Sequence, residues 1–227
     1  MTISLRETEN LPPKPTGLSW FHPFALAALI SVVPASSGVE PDEVTLHGWK
    51  ALAPLPDPVG FGGMFAGVLN GRLAAGGGTQ WDKPIWLKGE KLFSDRIFTL
   101  ATPSGAWTEH ASRLPVKSGH FASATTPDAI YLAGGIDSTG CLRSVFELSA
   151  QGDELVYKRL PDLPQPIGYA SAAMVGGRFY VVGGLREPTA KVASSEVWSL
   201  GLDAPVGAEG WRREADLPGP GVFVAAS

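Results

Sequence analysis

Short apolar strands alternate with glycine-rich turns along residues 49–227, and this alternation repeats. Each unit begins with a Leu-Pro pair, continues through a segment rich in small residues, and reaches a two-residue turn. An apolar strand follows the turn and ends in two glycines, and a third and a fourth strand complete the unit. Short strands joined by tight turns predict an antiparallel, all-β chain.

The spacing within the unit is nearly constant. A glycine stands four residues past the proline in three units, at Gly60, Gly119 and Gly168. The second turn residue then precedes the second glycine of the pair by seven positions, in the pairs Gly71 and Gly78, Asp128 and Gly135, and Gly177 and Gly184. The fourth strands bear the aromatic residues Trp107, Tyr157 and Trp211. Because Asn-Gly and Gly-Gly turns favour two-residue hairpins, the spacing predicts three four-stranded units.

Four short strands, with a diglycine after the second and an aromatic on the fourth, resemble the kelch repeat of β-propellers. The second glycines are 57 and 49 residues apart, near the ~50 of kelch repeats. Trp49 matches the last strand of a preceding blade, and residues 221–227 match the first strand of a following one. Propellers close with about 4–8 blades. We therefore expect three complete blades of an incomplete kelch-type propeller, either truncated from six blades or completed by another chain, whose open faces favour self-association.

Residues 1–37 have a different pattern. Arg6 and Lys14 precede the short apolar run Phe24–Val33, and small residues follow it at 34–37. The run is shorter than the ~20 residues of a membrane-spanning helix and is typical of a secretory signal. We predict a signal peptide at 1–37, propeller blades at 38–227, and a periplasmic or secreted protein without membrane attachment after cleavage. A buried helix or an uncleaved anchor is the alternative.

Composition and charge exclude several classes of function. The formal net charge is −4 with no basic cluster, which argues against a nucleic-acid partner because phosphate binding needs grouped Lys and Arg. The single cysteine, Cys141, allows no intrachain disulfide. The four histidines form no ligand-spaced pair, and Phe146 is the aromatic nearest to Cys141 in sequence. We therefore predict no cofactor and no metal, and a copper enzyme of the galactose oxidase type is the least favoured reading.

Residues 59–100 resemble a narrower group, the cyclically permuted mutarotases, which include bacterial N-acetylneuraminate (sialic acid) mutarotases. After the glycine pair, those proteins tend to continue with Ala-Asn-Phe-Pro, a Lys-Pro-Trp element and Gly-Gly-Lys-Lys. This chain has Thr-Gln-Trp-Asp at 79–82, Lys-Pro-Ile-Trp at 83–86 and Lys-Gly-Glu-Lys at 88–91. The resemblance implies opening and reclosure of a cyclic hemiacetal, a reaction that needs a base and an acid.

The segment that carries this resemblance is also unusually long. From the second glycine to the closing leucine, blade one spans 22 residues (78 to 100), against 13 (135 to 148) and 16 (184 to 200) in the next two. Long loops often carry function. We predict that this one binds a sugar through ring stacking, an amide and lysines that meet a carboxylate. The candidates are Gln80, Trp81, Lys83, Trp86 and Lys88, with Glu90 as a proton-transfer group. The alternative is that Trp86 only pins the loop and the charges face water.

Two polar aromatic residues occupy matching places at the start of innermost strands. His120 follows Gly119, Tyr169 follows Gly168, and Gly63 leaves room at the matching place in blade one. We predict His120 as a catalytic residue and Tyr169 as a substrate-binding residue of one pocket; a core or rim histidine is the alternative. The function that the resemblance implies is anomeric mutarotation of sialic acid or a related sugar, with the complete protein acting as an extracytoplasmic isomerase. A non-catalytic kelch module that binds proteins or glycans is the alternative, because fold alone does not imply chemistry.

Overall fold

Three antiparallel sheets of four strands make up most of the described chain. The computed structural model describes residues 51–202 and 210–223, all within the compact unit Trp49–Ser227. In chain order the strands are β1 (Phe65–Leu69), β2 (Arg72–Gly76), β3 (Thr79–Trp81), β4 (Lys91–Phe93), β5 (Ile97–Leu100), β6 (Thr108–Glu109), β7 (Ala122–Thr125), β8 (Ala129–Ala133), β9 (Val145–Gln151), β10 (Glu154–Leu160), β11 (Ser171–Val175), β12 (Arg178–Val182), β13 (Val197–Gly201) and β14 (Arg212–Arg213). The predicted signal peptide and Trp49 lie outside the described residues.

Each sheet runs in chain order from its first strand to its last. The orders are β1-β2-β5-β6, β7-β8-β9-β10 and β11-β12-β13-β14, and neighbouring strands are antiparallel. The strands β1, β7 and β11 pack beside one another, so the first strand of each blade is the innermost. The predicted four-stranded blades are confirmed. No helix in residues 51–202 and 210–223 has the length and apolarity needed to cross a bilayer.

The apolar core lies between successive blades. One cluster, between blades one and two, contains Phe65, Ile97 and Leu132. A second cluster, between blades two and three, contains Tyr131 and Phe179. Successive side chains of β8 enter the two clusters alternately, because neighbouring residues of a strand point to opposite faces. All five residues of β8 are buried for this reason.

The diglycines allow the next blade to approach closely. The second glycine of each pair donates its backbone N–H to the segment that leads into the following blade, over 2.9, 2.9 and 2.7 Å; the donor–acceptor pairs are Gly78–Ser118, Gly135–Ile167 and Gly184–Val222. Gly134 has φ 62°, and a Cβ there would lie 2.2 Å from the carbonyl oxygen of Ile167. Both the backbone conformation and the space therefore require glycine at this position.

The aromatic residues predicted for the fourth strands lie one position before β6 and β14 in blades one and three, and within β10 in blade two. The indole N–H of Trp107 donates to the carbonyl of Ala53 over 2.8 Å, and that of Trp211 donates to Pro161 over 2.8 Å. Tyr157 holds the matching place in blade two and packs against the cluster between blades one and two. Its buried hydroxyl has no hydrogen-bond partner among the described residues.

Arg96 joins blade one to the segment that precedes it. Its guanidinium lies 5.5 Å from the Phe61 ring centroid and 4.8 Å from that of Phe98, and it forms ion pairs with Asp57 and Glu109. Burial alone would raise the pKa of Asp57, but hydrogen bonds from backbone N–H groups and from Arg96 hold it below its usual value. The hydrogen bond from Arg96 likewise lowers the pKa of Glu109. The two ion pairs of Arg96 stabilise the fold electrostatically, and they require the carboxylates of Asp57 and Glu109 to be ionised.

Two details differ from the sequence-based expectation. The long segment of blade one folds as a hairpin, β3–β4, whose connection contains a 3-10 turn at Ile85–Leu87. The structural equivalent of Gly119 and Gly168 is Gly62, because Gly62 bridges to Thr79 as those glycines bridge to the residues after their diglycines. Gly60 precedes it because the chain from the Leu-Pro pair to the strand is two residues longer in blade one. A count from the proline therefore gives the wrong register there.

Candidate functional site

His120 and Tyr169 meet where the innermost strands begin. The backbone N–H of His120 donates to the carbonyl of Gly63 over 2.7 Å, and that of Tyr169 donates to the carbonyl of His120 over 3.0 Å. Backbone hydrogen bonds thus link Gly63 of blade one, His120 of blade two and Tyr169 of blade three in a row. The imidazole and phenol rings stack, with centroids 4.4 Å apart and planes at 35°. We call these two residues the axial pair.

The axial pair adopts a backbone conformation that favours glycine. His120 has φ 56° and Tyr169 has φ 58°, and the matching Gly63 has φ 68°. A side chain in this left-handed region costs about 1–2 kcal/mol, and such strain occurs often at functional sites. A Cβ on Gly63 would lie 2.4 Å from Nδ1 of His120. The glycine in blade one therefore provides the space that the imidazole fills.

The electrostatic environment keeps the His120 imidazole neutral. Burial, and then the positive charge of Lys91, lower the pKa of His120 to about 4. Its Nε2 is enclosed and has no hydrogen-bond partner in the described part of the chain, although the residue as a whole stays partly exposed. A neutral imidazole can accept a proton from a bound hydroxyl, and because Nε2 is enclosed the accepting atom would be Nδ1. An anionic ligand beside the ring would raise its pKa and make it a stronger base.

The phenol of Tyr169 stays protonated and can donate. Burial raises the pKa of Tyr169, and the negative charge that Cys141 carries when it ionises raises it further. Burial also raises the pKa of the Cys141 thiol, which donates to the carbonyl of Leu185 over 3.3 Å. The aromatic residue that interacts electrostatically with Cys141 is thus Tyr169 rather than its sequence neighbour Phe146. Among the described residues, no group of three or more His, Cys, Asp or Glu side chains lies close enough to hold a metal ion.

The β3–β4 hairpin follows the diglycine of blade one, at the end of the sheet where the axial pair lies. Its register pairs Trp81 with Lys91 and Gln80 with Leu92. Paired residues share a face and successive residues alternate, so Trp81 and Lys91 lie on one face and Gln80 on the other. The charge of Lys91 acts on His120, so we infer that the face with Trp81 and Lys91 is the one near the axial pair.

Most of the other predicted site residues lie elsewhere. The Gln80 amide donates to Asp57 over 2.8 Å, on the opposite face of the hairpin. Lys83, Trp86 and Lys88 lie at the tip, where Trp86 is 83% exposed. The backbone N–H of Glu90 donates to the Asp82 carboxylate and closes the tip. In the described part of the chain, no hydrogen bond, ring contact or charge interaction links the axial pair to Gln80, Lys83, Trp86, Lys88 or Glu90.

Lys91 is the residue that the sequence argument did not identify as a site residue. It closes the Lys-Gly-Glu-Lys element, and in the linear sequence nothing distinguishes it from the other charged or polar residues of this segment, Gln80, Lys83, Lys88 and Glu90. Only the strand register separates Lys91 from Lys83 and Lys88. The available signal was the alternation within 79–81 and 91–93, which becomes informative once the two segments are known to pair.

Comparison with known proteins supports the fold. No family profile matches the chain. A kelch domain-containing protein of Pyrococcus furiosus is 31% identical over 112 residues, which cover 47% of this chain and 33% of that protein. The solved structure of YjhT matches with a TM-score of 0.56 at 16% identity, covering 72% of this chain and 58% of that one. The chain therefore has a kelch-type β-propeller fold, and it matches about a third of the length of the curated relative.

Proposed function

We propose that the end of the propeller that carries the axial pair binds a sugar, and that the complete protein is an anomeric mutarotase of sialic acid or a related sugar. The main support is the axial pair itself, two stacked polar rings held in a left-handed conformation where glycine would be unstrained. The resemblance of residues 59–100 to the mutarotases is consistent with it. Trp81, on the nearby hairpin face, would stack on the sugar ring.

The side chains of the axial pair match the two roles that mutarotation requires. A base removes the proton of the anomeric hydroxyl while an acid protonates the ring oxygen, the bond between the anomeric carbon and that oxygen breaks, and the reverse steps close the ring on the other face. The neutral His120 imidazole would be the base and the protonated Tyr169 phenol the acid. General acid–base help of about 10²–10⁴-fold would be enough for a reaction that already proceeds in water. Glu90, at the hairpin tip, is less well placed for this role than Tyr169.

The test is anomer exchange measured by NMR on the full-length protein with N-acetylneuraminate and common aldoses. Exchange should be faster than in buffer, should fall in His120→Ala and in Tyr169→Phe, and should persist in Trp86→Ala, which changes only the hairpin tip. Exchange at the buffer rate for every sugar would refute the mutarotase. Rapid exchange that His120→Ala leaves unchanged would keep the activity and remove His120 from it.

A non-catalytic interaction module is the second candidate function. The tip of the hairpin presents three adjacent apolar side chains, Ile85, Trp86 and Leu87, with exposures of 61%, 83% and 60%. Contiguous exposed apolar residues are typical of interaction sites. If no sugar exchanges, this reading predicts that Trp86→Ala weakens binding to a glycan or protein partner while His120→Ala does not.

We propose in addition that the chain is exported and that residues 1–37 are removed. The support is the short apolar run with basic residues before it and small residues after it. Mass spectrometry of the protein from its native source should find an amino terminus near Gly38. A native amino terminus at Met1 would contradict export by cleavage.

A further inference from the structure

Lys91 is a partly buried cation without an ionic partner in the described part of the chain. The ion pairs within residues 51–202 and 210–223 join other side chains. The nearby Asp82 carboxylate instead accepts the backbone N–H of Glu90. The Lys91 ammonium lies 5.7 Å from the Phe93 ring centroid, and burial lowers its pKa. Since partly buried charges are usually compensated, this ammonium is suited to an anion from outside the chain.

The groups around His120 are poor in negative charge. Lys91 of β4 contributes a cation, Tyr169 a protonated phenol, and Gly63 only backbone. Cys141, which interacts with Tyr169, has a raised pKa and is a neutral thiol. Glu187 acts electrostatically on Cys141, whereas the described residue whose charge acts on His120 is Lys91. An anion beside the imidazole therefore meets this cation, and a neutral ligand lacks the charge–charge attraction. The local charge therefore favours an acidic ligand over a neutral one.

We propose that Lys91 is the specificity-determining residue of this site and makes it select sugars that carry a carboxylate over neutral sugars. The proposal rests on the proposed function for the sugar, and it does not require catalysis. The cross-strand partner of Lys91 is Trp81, so one hairpin face offers a stacking surface beside the cation. Lys83 and Lys88 lie at the exposed tip of the same hairpin, although the sequence predicted that they bind the sugar carboxylate.

The first test compares D-glucuronate with D-glucose, which differ by a carboxylate in place of a hydroxymethyl group. Calorimetry and tryptophan fluorescence on the full chain should show glucuronate binding about tenfold tighter or better, because charge-assisted hydrogen bonds are the stronger ones. Lys91→Met keeps roughly the length of the side chain and should abolish this preference by weakening glucuronate binding much more than glucose binding. Lys88→Met removes the same charge from the tip and is the matched control that should retain it. N-acetylneuraminate should behave as glucuronate does.

The second test needs no ligand. The pKa of His120, followed by NMR of the imidazole, should rise from about 4 in Lys91→Met because one of the two causes of its depression is removed. Lys88→Met should leave the titration unchanged. Saturation of the wild-type protein with glucuronate should also raise the pKa of His120, because the carboxylate stabilises the imidazolium.

The outcomes separate this inference from the mutarotase. A preference for carboxylates without anomer exchange supports the role of Lys91 and refutes the mutarotase. Anomer exchange without a preference for carboxylates supports the mutarotase and refutes the role of Lys91. Four results would each overturn the inference. The first two are equal binding of glucose and glucuronate, and no binding of any acidic sugar. The other two are an equal loss of preference in Lys88→Met and Lys91→Met, and a His120 pKa that does not change in Lys91→Met.

Discussion

The axial pair allows a direct measurement of backbone strain. His120→Gly and His120→Ala both remove the imidazole and its stack on Tyr169, and they differ by a single Cβ at φ 56°. A Cβ in this region costs about 1–2 kcal/mol, whereas glycine loses roughly 0.5–1 kcal/mol of conformational entropy on folding. We therefore expect His120→Gly to be more stable than His120→Ala by about 1 kcal/mol.

The sign of this difference is the informative quantity. At an ordinary strand position glycine is the less stable choice, so Ala173→Gly on the exposed side of β11 should lose about 0.5–1 kcal/mol. Ala173 is the matched control because it lies in β11, the innermost strand of blade three, and does not have a positive φ. Urea denaturation followed by tryptophan fluorescence measures each free energy of unfolding. In thermal unfolding a difference of about 1 kcal/mol shifts Tm by roughly 2–4 °C for a chain of this size.

A second substitution tests whether the imidazole occupies the space above Gly63. In Gly63→Ala the new Cβ would lie 2.4 Å from Nδ1, 2.5 Å from Cε1 and 2.7 Å from Cγ of His120. Overpacking of this kind costs about 1–3 kcal/mol, in addition to the strain at φ 68°. In the His120→Gly background only the strain remains, so Gly63→Ala should cost about 1–3 kcal/mol less there. Equal costs in the two backgrounds, or a His120→Ala variant as stable as His120→Gly, would refute the arrangement described for the axial pair.

Four further predictions concern the side chains that hold the blades together. Arg96→Met should lower the free energy of unfolding by about 2 kcal/mol in urea denaturation, because it removes hydrogen bonds to two carboxylates. The ion pairs of Arg96 also predict a pH effect. The pKa values of Asp57 and Glu109 in the folded chain lie below the ordinary values of 3.8 and 4.5 for these groups. The stabilisation from these carboxylates is therefore complete at pH above their ordinary pKa values and is lost as the pH falls through their lower pKa values in the folded chain. A free energy of unfolding that changes with pH as little in the wild type as in Arg96→Met would contradict this. Tyr157→Phe should be as stable as the wild type or more so, because the buried hydroxyl has no hydrogen-bond partner in residues 51–202 and 210–223. Trp107→Phe, which breaks a 2.8 Å hydrogen bond, should instead lose about 1 kcal/mol, and a larger loss at Tyr157 would show that its hydroxyl is satisfied.

The sequence by itself determined the blades. Turn residues, the diglycine and the period of the apolar strands act over a few positions, so the constant seven-residue spacing is sufficient to fix the hairpin of strands one and two. The same count identifies Gly63, His120 and Tyr169 as matching places in three blades. Equivalent positions of stacked repeats meet near the innermost strands, and for this reason the axial pair was predictable from one chain.

The tertiary structure decided which side chains of the long segment of blade one lie near that pair. In a hairpin a shift of one residue moves each side chain to the opposite face, so Gln80 turns to Asp57 while Trp81 and Lys91 share the other face. No local pattern specifies that register, because it depends on where two segments ten residues apart begin to pair. The same holds for the indole of Trp107, whose acceptor lies 54 residues away, and for the hydroxyl of Tyr157, which is buried without a partner among the residues that the structure describes. Contacts between blades are set by packing over long sequence separations, and only the folded chain shows them.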